Sequence, residues 1–235
     1  MFVKSAVFAA LGLALASSAQ SDENDVRKTV ETRLKAKVES VTKTNYLGLY
    51  EVYVDGHIIY TDDKVTALID GVLIDGKSGR NVTEERMRKL TAIKFSDLPL
   101  ERAIKQVKGD GKRVMATFED PNCGYCKRLA KDLQKLENVT IYTFLYPILS
   151  EDSVKKSKQI WCSADRAKAW NDWMVDGKAP GGKEDCDTSA VAKNQEYGQK
   201  LSITGTPTMF FADGERIPGA MPLPRIEQKL VSVGK

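Results

Sequence analysis

The sequence lacks a marked excess of charge of either sign, and it lacks long apolar stretches beyond its first residues. Its 36 Lys and Arg are nearly balanced by 32 Asp and Glu, which gives a formal net charge of +4. An excess this small does not indicate nucleic-acid binding, so we expect a mixed, solvated surface and no nucleic-acid partner. No stretch after the N-terminal segment is apolar enough to span a bilayer.

The N-terminal segment has the pattern of a secretory signal peptide. Lys4 precedes an apolar run from Ala6 to Ala16, and small residues follow directly. A positive residue, a short apolar run and small residues at the cleavage site are the features that define such a peptide. We therefore predict that residues 1–19 are removed by cleavage after Ala19, with an uncleaved membrane anchor as the alternative.

Histidine and cysteine are both scarce. His57 is the only histidine, and all four cysteines lie in the second half of the chain: Cys123, Cys126, Cys162 and Cys186. An even cysteine count in a secreted protein indicates two disulfides. A structural zinc site usually has four Cys or His ligands, often as two close pairs, and here the second pair is widely split. We therefore predict no metal, with zinc and an inert disulfide as the alternatives.

The first part of the secreted chain predicts a small α+β domain over residues 20–80. Valines spaced by four predict an amphipathic helix at Asp25–Val38. A hairpin is predicted next. The residues of Tyr46–Val54 alternate as in a strand, Asp-Gly is a turn signal, and His57–Tyr60 returns as the second strand. A domain this small buries little apolar area, so we expect it to pair with a second copy, with Ala67–Ile74 as the expected contact.

A linker helix region is predicted at residues 81–107. Asn81 would cap a helix at Val82–Ile93, and a second short helix is predicted at Glu101–Val107.

Residues 108–235 predict a catalytic domain with α/β layers. The predicted elements alternate between strand and helix, with two inserted helical pieces in the middle and a hairpin and a helix at the end. These elements are Arg113–Phe118, Cys126–Leu136, Val139–Leu145, Ser153–Met174, Ala190–Leu201, Thr208–Phe211, Glu215–Ile217 and Leu223–Val231.

Cys123 and Cys126 lie where a predicted strand gives way to a predicted helix. A cysteine at a helix N-terminus is near the positive end of the helix dipole and near free N–H groups, which favour its thiolate. The two-residue spacer closes a small ring, so its disulfide can form and break reversibly. We predict that Cys123 is the attacking thiol and that Cys126 is the more buried resolving thiol. We also expect Gly124 and Tyr125 to contact substrate.

A proline directly precedes the strand predicted at Thr208–Phe211. Because proline cannot donate to a sheet ladder, this position for Pro207 is unusual. A cis Thr206–Pro207 bond would turn the chain sharply and leave the backbone of Thr206 open to an extended substrate. We predict that Thr206 and Pro207 bind substrate, with an ordinary trans proline as the alternative.

Cys162 and Cys186 are predicted to form a structural disulfide across the inserted helices. Closing a loop of this length stabilises the fold by about 3 kcal/mol in the chain-entropy model. The wide spacing of the two cysteines gives no reason to expect redox activity.

The segment Phe118–Lys127, together with Gly205-Thr206-Pro207, resembles the thioredoxin superfamily. More narrowly it resembles the DsbC/DsbG group of bacterial periplasmic disulfide isomerases, and the Gly-Tyr spacer is that of the DsbC branch. The resemblance extends over nearly the whole secreted chain. It includes the small first domain, the start of the linker helix, Trp161-Cys162, Cys186-Asp187 and Ile217-Pro218-Gly219.

This resemblance implies a V-shaped periplasmic homodimer. In that family the first domains pair, and two thioredoxin-fold arms face a cleft that binds misfolded, disulfide-containing secreted proteins. It implies that reduced Cys123 attacks incorrect disulfides, that a DsbD-like membrane reductase keeps the pair reduced, and that no cofactor is needed. Thioredoxin has a buried acid where this chain has Thr117. We expect Glu119 and Asp120 to be solvated loop acids, with assistance to proton transfer by one of them as the alternative.

Other functions stay open on the sequence alone. They are a DsbG-like reductase of oxidised cysteines, a DsbA-like dithiol oxidase, and a chaperone without redox chemistry, although chaperone activity could also accompany isomerisation. An oxidase of the DsbA kind would be monomeric and would lack residues 22–96. A cysteine protease is a weaker alternative, because His57 belongs to the other predicted domain.

Overall fold

A computed structural model describes the backbone of residues 14–234 and the side chains of residues 22–234. Most of the predicted signal peptide, residues 1–13, lies outside this part of the chain. Within the described part, no helix is both long enough and apolar enough to cross a membrane. The chain divides into two compact units between Met87 and Arg88.

The first unit is a helix followed by a four-stranded antiparallel sheet in which each strand pairs with the next. Val26 and Val30 of the helix are fully buried and belong to one apolar cluster with Val52 of the sheet. Residues four apart lie on one face of a helix, so these valines hold the helix against the sheet. The elements are α1 (Ala14–Leu34), β1 (Val38–Lys43), β2 (Tyr50–Val54), β3 (His57–Thr61) and β4 (Leu68–Asp70).

The predicted helix at Asp25–Val38 is too long at its C-terminal end. α1 ends at Leu34, and Lys35 has a left-handed φ of 53° that breaks the helix. Val38 instead begins β1, where it pairs with Val54 of β2. β-Branched residues fit a pleated sheet well, so the available partner strand decides the conformation of this segment.

The linker region contains one helix, α2 (Val82–Leu90), and then two short 3-10 turns at Phe95–Asp97 and Leu100–Arg102. The second helix predicted there, at Glu101–Val107, is wrong. This segment contains β5 (Ile104–Lys108), which pairs antiparallel with a strand of the second unit. Its burial alternates residue by residue, and hydrogen bonding to a sheet edge overrides the helix preference of Lys and Gln.

The second unit is built on a five-stranded mixed sheet in the order β5-β7-β6-β8-β9. β6 and β7 are parallel, and the other neighbours are antiparallel. This is the predicted α/β architecture, with α4 and α5 as the helical insertion. The elements are β6 (Arg113–Glu119), α3 (Gly124–Leu133), β7 (Val139–Leu145), α4 (Glu151–Trp161), α5 (Arg166–Met174), α6 (Ser189–Lys200), β8 (Thr208–Phe211), β9 (Arg216–Pro218) and α7 (Leu223–Val233).

The central strand β6 is buried along most of its length. Met115 packs with Leu129 of α3, while Phe118 stacks on Phe144 of β7 with ring centroids 4.6 Å apart. A strand covered on both faces is a rigid base for whatever follows it. Because the strand continues almost directly into α3, the start of that helix has a well-defined position.

Candidate active site

The two redox cysteines lie at the N-terminus of α3, just after the central strand. Cys123 is the N-cap residue, and its sulfur accepts a hydrogen bond from the backbone N–H of Cys126 at 3.4 Å. The helix begins at Gly124 rather than at the predicted Cys126. The Cys123 sulfur therefore faces free N–H groups and the positive end of the helix dipole.

Hydrogen bonds strongly acidify Cys123. Its pKa is about 5, compared with 9.0 for an unperturbed thiol. The largest contribution is the hydrogen bond from the Cys126 thiol, and the Thr206 side chain and two backbone N–H groups lower the pKa further, against the effect of burial. Cys123 is therefore a thiolate at neutral pH, which is the form that attacks disulfides.

Cys126 has the opposite protonation state and remains a thiol. Its side chain is fully buried, and desolvation raises its pKa far above the usual value. The hydrogen bond to Cys123 and the nearby charges of Glu119 and Cys123 raise it further. One cysteine is thus held as a thiolate and the other as a thiol, and this difference gives the two residues different chemical roles.

The Thr206–Pro207 segment lies beside the Cys123 sulfur. The Thr206–Pro207 peptide bond is cis, and the Cys123 sulfur lies 3.3 Å from the Thr206 carbonyl oxygen, to which it can donate only when it is protonated. Pro207 is buried and leads into β8, which pairs with β6. The sheet therefore brings together two motifs that are far apart in the sequence.

Gly124 and Tyr125 are on the surface, and 60% of Tyr125 is exposed. The guanidinium of Arg128 stacks on the Tyr125 ring at 4.4 Å from its centroid. The ammonium of Lys127 lies 3.9 Å from the centroid of the Trp173 ring. Both basic side chains near the cysteines thus stack on aromatic rings, in cation–π contacts.

The expectation that Glu119 and Asp120 are solvated is wrong, since both are buried. The carboxylate of Asp120 ties together the loop before Cys123 and the loop after β7. It accepts four hydrogen bonds of 2.7–3.0 Å, from Asn122 N, Ile148 N, Leu149 N and Ser153 Oγ. Burying a carboxylate is costly unless it is hydrogen-bonded in this way.

The same contacts place two exposed apolar side chains next to the active-site loop. Ile148 is 37% exposed and Leu149 is 57% exposed. Together with the exposed Tyr125, two residues after Cys123, they give this part of the surface an apolar character, and we call these three side chains the rim (Tyr125, Ile148 and Leu149). Nothing in the local sequence pattern indicated that the loop after β7 would reach the cysteines.

Glu119 is the last residue of β6 and the second acid that was wrongly expected to be solvated. The Thr117 hydroxyl donates to Glu119 Oε1 at 2.7 Å. Burial raises the pKa of Glu119 to about 8, and the charge of Cys123 contributes to the increase. The alternation of strand residues was the available signal, because it places Glu119 on the same face as the buried Thr117.

Cys162 and Cys186 form a disulfide between the end of α4 and the segment before α6. Next to it, the indole N–H of Trp161 donates to the Asp187 carbonyl oxygen at 3.1 Å. Across residues 22–234, no cluster of His, Cys, Asp and Glu side chains is suited to hold a metal ion. His57 is exposed and belongs to the first unit.

Two family models match this chain. Residues 17–84 match "Disulfide bond isomerase protein N-terminal domain", and residues 100–234 match "Thioredoxin-like domain". The two matches together extend over most of the chain and correspond to its first and second units.

Individual relatives agree with these matches. The chain is 51% identical over 193 residues to "Probable thiol:disulfide interchange protein DsbC" of Bordetella parapertussis, covering 82% of this chain and 68% of that protein. It is 26% identical over 215 residues to "Thiol:disulfide interchange protein DsbC" of Escherichia coli K12, covering 89% and 87%. A disulfide interchange protein from Neisseria gonorrhoeae has a similar structure, with 41% identity and a TM-score of 0.56 over 59% of this chain and 99% of that one.

Proposed function

Because the chain belongs to the DsbC family of thiol:disulfide interchange proteins, we propose that it is a disulfide isomerase that acts through Cys123 and Cys126. The observation that carries this proposal is the opposite state of the two thiols. Cys123 is held as a thiolate, and Cys126 is buried beside it as a thiol. A pair that is stable in this reduced form is ready to attack disulfides rather than to donate one.

Isomerisation begins when the Cys123 thiolate attacks one sulfur of an incorrect disulfide. A bond forms between Cys123 and that sulfur, the old S–S bond breaks, and the other substrate cysteine leaves as a thiolate. A substrate thiolate then attacks the mixed disulfide, so the correct pairing forms and Cys123 is released unchanged. Substrate and enzyme undergo no net oxidation in this cycle.

Cys126 resolves the mixed disulfide when no substrate thiolate attacks it. Its thiolate attacks the sulfur of Cys123, which releases the substrate cysteine as a thiolate and leaves the Cys123–Cys126 disulfide. The enzyme must then receive two electrons from an outside dithiol before it can act again. We propose a DsbD-like membrane reductase as that donor, and no cofactor besides the cysteine pair.

Substrate contacts are proposed at the residues around the Cys123 sulfur. The backbone of Thr206, next to Pro207, would pair with an extended substrate segment. Gly124 leaves space at the helix N-terminus, and the exposed ring of Tyr125 offers an apolar surface. Misfolded secreted proteins expose apolar side chains near incorrect disulfides, and the rim suits them and supports an accompanying chaperone activity.

Reactivation of a scrambled multi-disulfide protein tests the proposed function. We expect the reduced enzyme to restore its activity and the oxidised enzyme to do so poorly, because only the reduced form carries an attacking thiolate. Activity confined to the oxidised form would instead indicate a DsbA-like oxidase. Reduction of a sulfenylated single cysteine, without reactivation, would indicate a DsbG-like reductase.

We further propose that the protein is a homodimer that pairs through the first unit. β4 is an edge strand, and large apolar side chains on it and directly after it are exposed: Leu68, Ile69, Val72 and Ile74. An apolar sheet edge left unpaired invites aggregation, so a second copy of the same strand is the occupant that we propose. A periplasmic dimer is also consistent with the N-terminal segment, which we propose to be a cleaved signal peptide.

Light scattering of the chain without residues 1–19 is expected to give twice the mass of one chain. Ile69→Asp should weaken the dimer about 10- to 100-fold, because it places a carboxylate in an apolar contact. Leu47→Asp is the matched control, since Leu47 is 94% exposed in the same unit but lies outside β4. A wild-type mass of one chain would refute the dimer, and equal effects of both variants would refute the role of β4.

A further inference from the structure

The resolving step needs a proton acceptor inside the protein. Cys126 attacks only as a thiolate, yet its side chain is fully buried and its pKa is raised far above neutral pH. Water has no direct access to such a thiol. A nearby group must therefore take its proton before it can attack Cys123.

Glu119 is close to the Cys126 sulfur. The carbonyl oxygen of Asp120, the residue after Glu119, accepts from the Cys123 N–H at 3.1 Å, which places the end of β6 against the cysteine pair, and the backbone of Asp120 also lowers the pKa of Cys126. The carboxylate of Glu119 also acts electrostatically on Cys126. Glu119 is itself 1% exposed, so the two groups share a closed environment.

The hydrogen bonds of Glu119 leave one of its oxygens available. Oε1 accepts from the Thr117 hydroxyl, while Oε2 is buried and has no hydrogen-bond partner among the described residues. On the neighbouring strand β7, the uncharged hydroxyl of Thr143 lies 3.3 Å from the Thr117 hydroxyl. The charge that acts on Glu119 itself is that of Cys123, the N-cap residue of α3.

Asp120 does not have the same freedom. Its two carboxylate oxygens accept four hydrogen bonds, which hold the loops around the active site. A proton on Asp120 would disrupt those bonds, whereas a proton on Glu119 Oε2 disrupts none.

We propose that Glu119 accepts the proton of Cys126 in the step that resolves the mixed disulfide, and that the loss of charge on Cys123 favours this step. The proposal rests on the dithiol chemistry proposed above. It assigns Glu119 a direct part in that chemistry, as the base that acts on a reacting atom.

The effect of Cys123 on this step follows from its charge. Burial raises the pKa of Glu119 to about 8 and the charge of the Cys123 thiolate adds to the increase, so in the free reduced enzyme the carboxyl is mostly protonated at neutral pH. A mixed disulfide has no charge on Cys123, so the pKa of Glu119 falls and a larger fraction of the carboxyl is ionised. The reaction that creates the need for a base thus also increases the amount of that base.

The protons and electrons balance over the sequence. When the mixed disulfide forms, the departing substrate thiolate gains a proton and the Glu119 carboxyl loses one, by way of water. Cys126 then transfers its proton to Glu119 and attacks Cys123. The bond between Cys123 and the substrate breaks, the Cys123–Cys126 bond forms, and the substrate cysteine leaves reduced as a thiolate that is protonated by water.

Glu119→Gln tests this role because glutamine keeps the shape and the hydrogen bond from Thr117 but accepts no proton. Oxidised glutathione forms the mixed disulfide, acid quenching stops the reaction, and mass spectrometry measures the release of glutathione. We expect release at pH 7 to slow by about 100-fold, within the range of general-base effects. The rate at which Cys123 forms the mixed disulfide should remain close to that of the wild type.

The pH profile separates a base from a structural residue. Release from the wild type should rise with pH only until Glu119 is ionised, near or somewhat below pH 8, and should then level off. Release from Glu119→Gln should keep rising about tenfold per pH unit, because Cys126 must then ionise unaided. Glu119→Asp should restore part of the rate. Wild-type rates with a wild-type profile in Glu119→Gln would overturn the proposal.

A measurement on the wild-type chain keeps the proposal testable if Glu119→Gln folds poorly. Carbamidomethylation of Cys123 removes its charge permanently. Infrared difference spectra should then show the protonated carboxyl signal of Glu119 disappearing at lower pH than in the reduced enzyme, and an unchanged midpoint would overturn the effect of the Cys123 charge. Failure of the wild type to reactivate scrambled protein would refute the isomerase proposal alone, since glutathione release does not depend on isomerisation.

Discussion

Replacing Cys123 with alanine is expected to reduce disulfide isomerisation at least about 1,000-fold, because it removes the only sulfur that begins the cycle. Cys126 cannot substitute for it, since that thiol is fully buried and stays protonated at neutral pH. The fold should survive, because Cys123→Ala removes only the side-chain sulfur of the helix N-cap residue. Reactivation of scrambled protein measures the loss.

Two comparisons make this result specific. Cys162→Ala combined with Cys186→Ala should leave the exchange rate nearly intact while lowering the free energy of unfolding by about 3 kcal/mol. Suppression of aggregation by Cys123→Ala should persist, because the rim is unchanged. If isomerisation persists in Cys123→Ala, then Cys123 is not the nucleophile.

The sequence predicted the parts of the site that depend on local chemistry. A cysteine pair between a strand and a helix predicted the thiolate position, and the proline before a strand pointed to the cis bond at Thr206–Pro207. Each of these signals is contained in a few consecutive residues. Local patterns of this kind are informative because backbone preferences and helix ends act over the same short range.

The two strands that were missed, β1 and β5, are edge strands. Val38–Lys43 and Ile104–Lys108 contain residues that suit either a helix or a strand. The conformation of β1 is decided by hydrogen bonds to β2, which follows it after a turn. The conformation of β5 is decided by hydrogen bonds to β7, which is distant in the sequence. Which strand a segment pairs with depends on the tertiary structure, and a local sequence pattern does not contain that information.

The buried acids were missed for a related reason. Glu119 and Asp120 follow the strand predicted at Arg113–Phe118 and precede a proline, and acids in such a position are normally solvated. Asp120 is buried because a second loop, Ile148–Leu149, supplies N–H donors to it. Glu119 is buried because it ends a strand that is covered on both faces. The most informative residues of the site are therefore those whose burial contradicts their type.

Alkylation of the reduced protein at pH 7 is expected to modify Cys123 at least about 1,000-fold faster than Cys126. The thiolate is the reactive form, Cys123 has a pKa of about 5, and desolvation keeps Cys126 protonated. Limited treatment with iodoacetamide, followed by peptide mass spectrometry, measures the ratio. Comparable labelling of both cysteines in the folded protein would contradict the assignment of attacking and resolving roles.

The pH dependence of this reaction carries more information than its rate at neutral pH. Because the pKa of Cys123 is lowered, the thiolate persists as the pH falls and is lost only below about pH 5. A weakly basic thiolate is also a weaker nucleophile, so its advantage over an ordinary thiol is small at pH 7. Near pH 5.5, about 2,000-fold more thiolate and about 60-fold lower intrinsic reactivity leave roughly a 30-fold advantage over glutathione.

Two substitutions at Cys126 distinguish the causes of the low pKa. The Cys126 thiol makes the largest contribution to it, ahead of the Thr206 side chain and the backbone N–H groups. Cys126→Ala removes the donor, so the midpoint of Cys123 alkylation should rise by at least about one pH unit. Cys126→Ser replaces the thiol with another donor and should keep the midpoint low. If Cys126→Ala leaves the midpoint unchanged, then the helix N-terminus alone holds the thiolate, and Cys126 acts only in resolution.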